Sequence, residues 1–234
     1  MPLIATDDLQ WLLVQARRIS SSTRAEIGAR AEIGARAEIG ARAEIGILQA
    51  AVDAYRIAIA LGAATEAAPN GLGQALLELA RLTGDTSLLQ SSADELAAAV
   101  ALAPTDSHSL STLSAVHLQM KRPEQALLAA AAAALADPRN TAAHNNHGWL
   151  LSELGRHDEA IRAYIVGLRL DPRDAELLCN LATSTAELGQ LQSAVSIFEA
   201  AIKADPNHKR ARANLDAVRS FLPLKEEGRG PVGE

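Results

Sequence analysis

Few residues in this sequence have the type and spacing that chemistry requires. His144 and His147 lie three residues apart, so on one helix their imidazoles could reach a shared metal ion. Cys179 is the single cysteine, which excludes an internal disulfide. The sequence contains no glycine-rich phosphate loop, nucleophile elbow or paired-cysteine metal motif. We therefore expect a protein that is not an enzyme and has no cofactor.

Three asparagines recur at a constant step. Asn146, Asn180 and Asn214 each stand 34 residues after the one before. An amide side chain has both donors and an acceptor, so a row of asparagines can pair with the backbone of an extended peptide whatever its side chains. The alternative is that these amides only bond neighbouring helices. Both interpretations depend on the elements that carry the row.

Residues 141–174 are predicted to form two short amphipathic helices joined by a turn. Gly155 breaks the apolar pattern of the first helix, and Asp158 can cap the second. The buried face of the second helix includes Tyr164. The helix ends before Pro172, because proline cannot continue the hydrogen-bond ladder and restricts the residue before it.

The same pattern recurs with a period of 34 residues. Residues 175–208 repeat it closely and residues 107–140 more loosely. The helix-ending prolines form one series of constant step, Pro104, Pro138, Pro172 and Pro206. Small, glycine and aromatic positions follow the same step, as in the pair Tyr164 and Phe198. Chance would seldom bring so many packing residues into phase, so the chain is predicted to be a repeat protein.

This pattern resembles the tetratricopeptide repeat (TPR) family, in which a small residue, a turn glycine, an alanine, an aromatic residue and a closing proline recur. The resemblance covers residues 73–222 strongly and 47–72 weakly. It implies an all-α fold, an antiparallel helix-pair solenoid wound into a right-handed superhelix. It also places His144 and His147 at helix-packing positions, which favours packing over metal binding.

In TPR arrays the first helix of each repeat lines the inner, concave surface. The resemblance therefore implies that the asparagine row lies in a groove, similar to the asparagine ladder of O-linked N-acetylglucosamine transferase. The candidate peptide-binding residues are Asn145, Asn146, Trp149, Asn180, Thr183, Arg210 and Asn214, flanked by Ser152, Glu176 and Cys179. Trp149 either anchors a partner side chain or packs between repeats. Only Arg210 resembles the carboxylate clamp of chaperone-binding TPR proteins, which disfavours capture of chaperone C-termini.

The N-terminal part differs from the repeats. Residues 1–23 are predicted to contain an amphipathic helix, and residues 24–46 repeat the hexapeptide RAEIGA. In one register this segment resembles the left-handed parallel β-helix of hexapeptide acyltransferases. However, such a fold needs three hexapeptides for each coil, so the segment would leave both edges open. Glu and Arg pairs at i,i+4 support a helix instead, which we expect despite the glycines.

The rest of the chain is predicted to continue the array over residues 47–222. We expect helices at 47–64, 73–83 and 86–102, with the segment AAPNGLG at 67–73 as a loop. Residues 209–222 are expected to form a polar-faced capping helix, which solenoids need at an open end. Residues 223–234 are expected to be a disordered tail.

Composition limits the function classes. Aromatic residues make up only 3% of the chain, which fits alanine-rich helix packing better than a large enzyme core. The net charge of −6 argues against nonspecific nucleic-acid or anionic-membrane binding. The acidic N-terminus and the lack of a membrane-length apolar run indicate a cytoplasmic protein. Oligomeric state is not predicted.

We expect a non-catalytic scaffold that binds a protein or an extended peptide. The alternative is a partner- or substrate-recruiting subunit of a multi-component enzyme, such as a glycosyl- or sulfotransferase system. An intrinsic acyltransferase would be expected to turn over an acyl donor by itself. Fold analogy supports binding in general and does not identify the partner.

Overall fold

A computed structural model describes residues 34–62 and 65–222 of the chain. Ten helices and no strand lie within these described residues. They are α1 Gly34–Ala60, α2 Ala67–Thr83, α3 Ser87–Leu102, α4 Ser107–Gln119, α5 Pro123–Ala136, α6 Thr141–Glu153, α7 His157–Leu170, α8 Ala175–Glu187, α9 Leu191–Ala204 and α10 Lys209–Ser220. The N-terminal helix predicted within residues 1–23, residues 24–33 of the hexapeptide segment and the predicted tail at 223–234 lie outside the described residues.

The chain divides into two compact units between Asp137 and Pro138. The described helices of unit 1 are α1 to α5, and those of unit 2 are α6 to α10. Within each unit every helix packs on the next one along the chain. The first helices of successive pairs also touch: α2 contacts α4, α6 contacts α8, and α8 contacts α10. Each unit is therefore built from stacked helix pairs.

Four first helices begin at the same position of the 34-residue step. Asp106, Asn140, Asp174 and His208 are the N-cap residues of α4, α6, α8 and α10. In each, the side chain accepts a hydrogen bond from a backbone N–H of the first turn, which stabilises the helix start. The prediction for α7 was wrong: its N-cap is Arg156, which makes no side-chain cap bond, and Asp158 lies inside the first turn. There the carboxylate still suits the positive end of the helix dipole.

The turn inside each repeat needs a residue in the left-handed region of φ. Gly155 and Gly189 supply it in unit 2, with φ of 73° and 75°. At the same position of the preceding repeat, in unit 1, Lys121 adopts a φ of 56°. An L side chain is disfavoured in this region because its Cβ approaches the following carbonyl oxygen. The repeat at 107–140 therefore carries local backbone strain that the next two avoid.

The core of each repeat is formed where the first and second helices cross. Tyr164 of α7 is fully buried against Gly148 of α6. A Cβ on Gly148 would lie 2.5 Å from Cε1 of that ring, so only glycine fits. In the next repeat Ala182 and Phe198 share one core cluster at the equivalent positions. A larger aromatic residue on the second helix thus goes with a smaller residue on the first.

The structure corrects the expected loop at 67–73, because α2 already begins at Ala67. Pro69 lies in the first turn, where a helix tolerates proline since the missing N–H would have no intrahelical partner. A Cβ on Gly71 would lie 2.3 Å from Cζ of Tyr55 on α1. Pro69 is therefore compatible with the start of α2, and Gly71 allows α2 to pack closely on α1, although the sequence favoured a loop. In the hexapeptide segment, residues 34–46 are helical as part of α1.

Candidate functional site

The asparagine row lies on three first helices of unit 2, but its members differ in exposure. Asn146 on α6 is exposed and Asn214 on α10 is half-buried. Asn180 on α8 is buried, with a relative exposure of 7%. The repeat step predicts that the three residues lie on corresponding helices. It does not predict that their amides have different surroundings.

The amide of Asn180 bonds both neighbouring first helices. Its Nδ2 donates to Oδ1 of Asn145 on α6 at 2.8 Å, and its Oδ1 accepts from Nη2 of Arg210 on α10 at 2.7 Å. Arg210 also forms an ion pair with Glu176 of α8. His208 Nε2 lies 3.0 Å from the second oxygen of Glu176. These contacts form a polar chain across α6, α8 and α10.

The flanking residues continue this surface. Asn214 Nδ2 donates to Oγ1 of Thr183 at 3.3 Å, and that hydroxyl donates to the backbone carbonyl of Cys179 at 2.9 Å. Ser184 donates to Ser152 at 3.0 Å. Trp149 is half-buried, so part of its ring remains accessible beside the row. We call Asn145, Asn146, Trp149, Asn180, Thr183, Arg210 and Asn214 the first-helix row.

The titratable groups near this row do not form a reactive site. Cys179 is fully buried, and burial raises the pKa of its thiol, which disfavours the nucleophilic thiolate. Burial lowers the pKa of His147, and the electrostatic effect of the neighbouring His144 lowers that pKa further. Nε2 of His144 lies 3.1 Å from the carbonyl oxygen of Pro138, a packing contact at the helix start. In the described part of the chain, no three His, Cys, Asp or Glu side chains converge on a possible metal position.

Unit 1 has a cavity of about 220 Å³ between α2 and α4. Its lining residues are Gln74, Leu77, Glu78, His108, Ser111, Thr112 and Ala115. Nε2 of Gln74 donates to Oδ1 of Asn70 at 2.7 Å and lies 2.7 Å from Nε2 of His108. Sequence reasoning missed this cavity because it followed repeated asparagines. The repeat phase could have found it, since Ser111 and Thr112 precede Asn145 and Asn146 by one repeat.

The tetratricopeptide repeat family model matches residues 49–214. The chain belongs to this family. Its all-α helix-pair fold confirms the predicted fold class of a TPR solenoid. The TPR fold supports a role as a protein-interaction scaffold, and TPR proteins are generally non-catalytic. Among the described helices, none combines the length and apolarity that crossing a bilayer requires.

Three solved structures resemble the chain in fold. YrrB, a TPR protein with an unusual peptide-binding site, has a TM-score of 0.61 at 20% identity, covering 74% of this chain and 86% of YrrB. MamA gives a TM-score of 0.57 at 20% identity, with 71% and 94% covered. A thermophilic TPR protein in Thermus thermophilus gives 0.55 at 20% identity, with 76% and 93% covered. No curated protein matches the sequence.

Proposed function

We propose that this TPR protein is a non-catalytic scaffold that binds a protein or an extended peptide along the first-helix row. The observation that carries the proposal is the continuous polar surface across α6, α8 and α10, with Trp149 beside it. Amide, hydroxyl and guanidinium groups in this row offer donors and acceptors for a peptide backbone. The half-buried indole supplies apolar contact area for one partner side chain.

Exchange of hydrogen bonds explains how a paired amide can still serve a ligand. A peptide carbonyl would replace Oδ1 of Asn145 as the acceptor for Asn180, and Asn145 would turn toward the peptide. Such exchange keeps the number of hydrogen bonds constant, so it costs little free energy. Arg210 and Glu176 have side chains about half exposed, at 47% and 51%, and can separate to meet a charged partner group. Asn146, already exposed, requires no exchange.

The test begins with a partner selected by the full chain, using a displayed peptide library and an affinity pull-down with mass spectrometry. Binding is then measured by calorimetry for Asn146→Ala, Asn180→Ala, Asn214→Ala and the triple variant. Loss of three backbone hydrogen bonds at about 1 kcal/mol each predicts at least about tenfold weaker binding by the triple variant. Unchanged affinity would disprove the asparagine mechanism.

The matched control is Ser196→Ala, an exposed second-helix residue of unit 2. It should leave affinity unchanged. Thermal melts of every variant are needed, because Asn180→Ala also removes an inter-helix bond. Asn146→Ala changes an exposed side chain, so it separates ligand loss from fold loss. A catalytic protein recovered in the pull-down would instead favour the recruiting-subunit alternative.

A further inference from the structure

Helix α5 exposes an apolar face that its own unit does not cover. Leu128 and Leu135 have relative exposures of 72% and 79%, unusually high for leucine. Ala131 and Ala132 lie between them and are half-buried. The spacing of these four residues, i, i+3, i+4 and i+7, puts them on one side of the helix. We call them the leucine face of α5.

The fold does not require leucine at these positions. The residues that correspond to Leu128 in the other 34-residue repeats are Asp94, Arg162 and Ser196, and those that correspond to Leu135 are Ala101, Arg169 and Lys203. Leu128 and Leu135 therefore stand where the other second helices carry charged, polar or small side chains. An exposed apolar patch with leucines at both of these positions is typical of an interaction surface.

The leucine face is complementary to itself. Its residues read Leu, Ala, Ala, Leu in either direction along α5, with the midpoint between Ala131 and Ala132. In an antiparallel pair about a two-fold axis, Leu128 of one helix would meet Leu135 of the other, and the alanines would allow close approach. No charged residue lies between Gln125 and Ala136, so pairing buries no charge.

Charges at the two ends of α5 disfavour parallel pairing. Lys121 and Arg122 precede the helix and outweigh the neighbouring Glu124, whereas Asp137 after the helix is balanced by Arg139. A parallel alignment would bring the two basic ends together, and an antiparallel alignment places each basic end near a neutral one. We propose that the leucine face of α5 is a homodimer contact in which two copies of this chain pair antiparallel about Ala131 and Ala132.

The size of the surface sets the expected strength. Specific stable interfaces bury about 1,200–2,000 Å² in total, and one pair of helices of this length lies at or below the lower end of that range. Weak, concentration-dependent association follows, with a dissociation constant in the range of about 1–100 µM. The occupancy of the contact would therefore depend on protein level.

Analytical ultracentrifugation of the full chain between about 1 and 200 µM tests the proposal. The weight-average mass of the wild type should rise from 24.6 kDa toward twice that value. The variant Leu128→Arg with Leu135→Arg copies the residues of the next repeat, Arg162 and Arg169, so it should fold and remain monomeric. Its thermal melt checks the fold.

The control is Ile165→Glu on α7, which replaces another exposed apolar residue by its equivalent in the next repeat, Glu199. It should dimerise like the wild type. A wild type that stays monomeric over the whole range would overturn the proposal. Equal dimerisation by the double arginine variant would also overturn it, because the contact would then lie elsewhere.

Cross-linking tests the antiparallel arrangement. A mixture of Leu128→Cys and Leu135→Cys proteins should form a mixed disulfide under mild oxidation, whereas each variant alone should not. The native Cys179 is fully buried and should not compete. Dimers of Leu128→Cys alone would indicate parallel pairing and contradict the antiparallel model. If this face takes a different protein instead, a pull-down with wild type and double arginine variant would recover that protein while the chain itself remains monomeric.

Discussion

The helix pair α4–α5 of unit 1 and the helix pair α6–α7 of unit 2 fill equivalent helix crossings with residues of different size. Unit 1 has Ser114 on the first helix and Ala130 on the second, both buried. Unit 2 has Gly148 and Tyr164 at the equivalent positions. The ring of Tyr164 leaves no room for a Cβ at position 148, whereas the small Ala130 lies opposite a serine on the first helix. The size of the second-helix residue therefore limits which residue the first helix can carry.

The largest expected effect comes from exchanging this crossing between units. Tyr164→Ala should destabilise the protein by about 3–5 kcal/mol, because it empties a fully buried site. Gly148→Ser should cost about 1–3 kcal/mol, because its side chain would overlap the tyrosine ring. The double variant recreates the Ser–Ala pair of unit 1, so its cost should fall below the sum by at least about 1 kcal/mol. Urea unfolding followed by circular dichroism measures the cycle; strictly additive costs would contradict a steric conflict between residues 148 and 164.

A second comparison concerns the sixth position of the first helices. In unit 1, the Thr112 hydroxyl donates to the carbonyl of His108 on its own helix, at 3.0 Å. In unit 2, the amide of Asn180 bonds two other helices. Asn180→Ala should therefore cost about 1–3 kcal/mol of unfolding free energy by leaving its partners unpaired. Thr112→Ala should change it by less than about 0.5 kcal/mol. If Asn180→Ala changed the free energy of unfolding by less than about 0.5 kcal/mol, the inter-helix bonds of Asn180 would add no measurable stability.

The turns between the two helices of a repeat also differ, with lysine at position 121 in unit 1 and glycine at position 155 in unit 2. Lys121→Gly should stabilise the protein by about 0.5–1 kcal/mol, because glycine adopts the positive φ without the steric cost that lysine bears. The reverse change, Gly155→Lys, should destabilise unit 2 by a similar amount. Midpoints of urea unfolding provide the measurement. A destabilised Lys121→Gly variant would mean that the lysine side chain makes contacts worth more than the backbone strain.

The smallest effect on stability at neutral pH is expected from exchanging the charged N-cap of α4, Asp106, and the neutral N-cap of α6, Asn140. Burial acts to raise the pKa of Asp106, but hydrogen bonds from the Ser109 hydroxyl and from the backbone N–H groups of His108 and Ser109 outweigh it and lower the pKa. The stabilisation is therefore present above the pKa of the unfolded state and is lost as pH falls through the lowered folded value.

Asp106→Asn keeps the cap, so stability at pH 7 should change by less than about 0.5 kcal/mol. Between about pH 5 and pH 2 the wild type should lose more stability than this variant. Asn140→Asp is the reciprocal control and should add acid sensitivity to unit 2. Parallel pH profiles for all three proteins would refute the assignment of the acid response to the cap.

Repeat phase in the sequence predicted the helix pairs well, because prolines, alanines and aromatic residues at fixed spacing define where helices end and cross. It failed at 67–73, because Pro69 and Gly71 are compatible with either a loop or the start of a helix. Only the packing against the neighbouring helix distinguishes the two. Gly71 leaves room for the ring of Tyr55, which lies on another helix, so the residues next to Gly71 in the sequence do not reveal this contact. Local chemistry therefore predicts elements better than it predicts the contacts that reuse loop-forming residues.

The candidate site shows the same limit. The 34-residue step assigned Asn146, Asn180 and Asn214 to corresponding helices, yet it gave their amides one shared role. Hydrogen bonding depends on distances of a few tenths of an ångström between helices, which the step does not contain. Those distances bring Asn145 and Arg210 to Asn180 and leave Asn146 exposed.

Because the hexapeptide forms part of helix α1, each copy changes the rotational position of residues around the helix axis. Six residues turn a helix by roughly 600°, so adding one copy within α1 would rotate the part of the helix before it by about 120° relative to the stripe that packs on α2, and shift it by about 9 Å. Three copies complete five whole turns and restore the azimuth after about 27 Å. Length variants of this segment should therefore be tolerated in steps of three copies, because the rotational phase of the helix is restored only after every 18 residues.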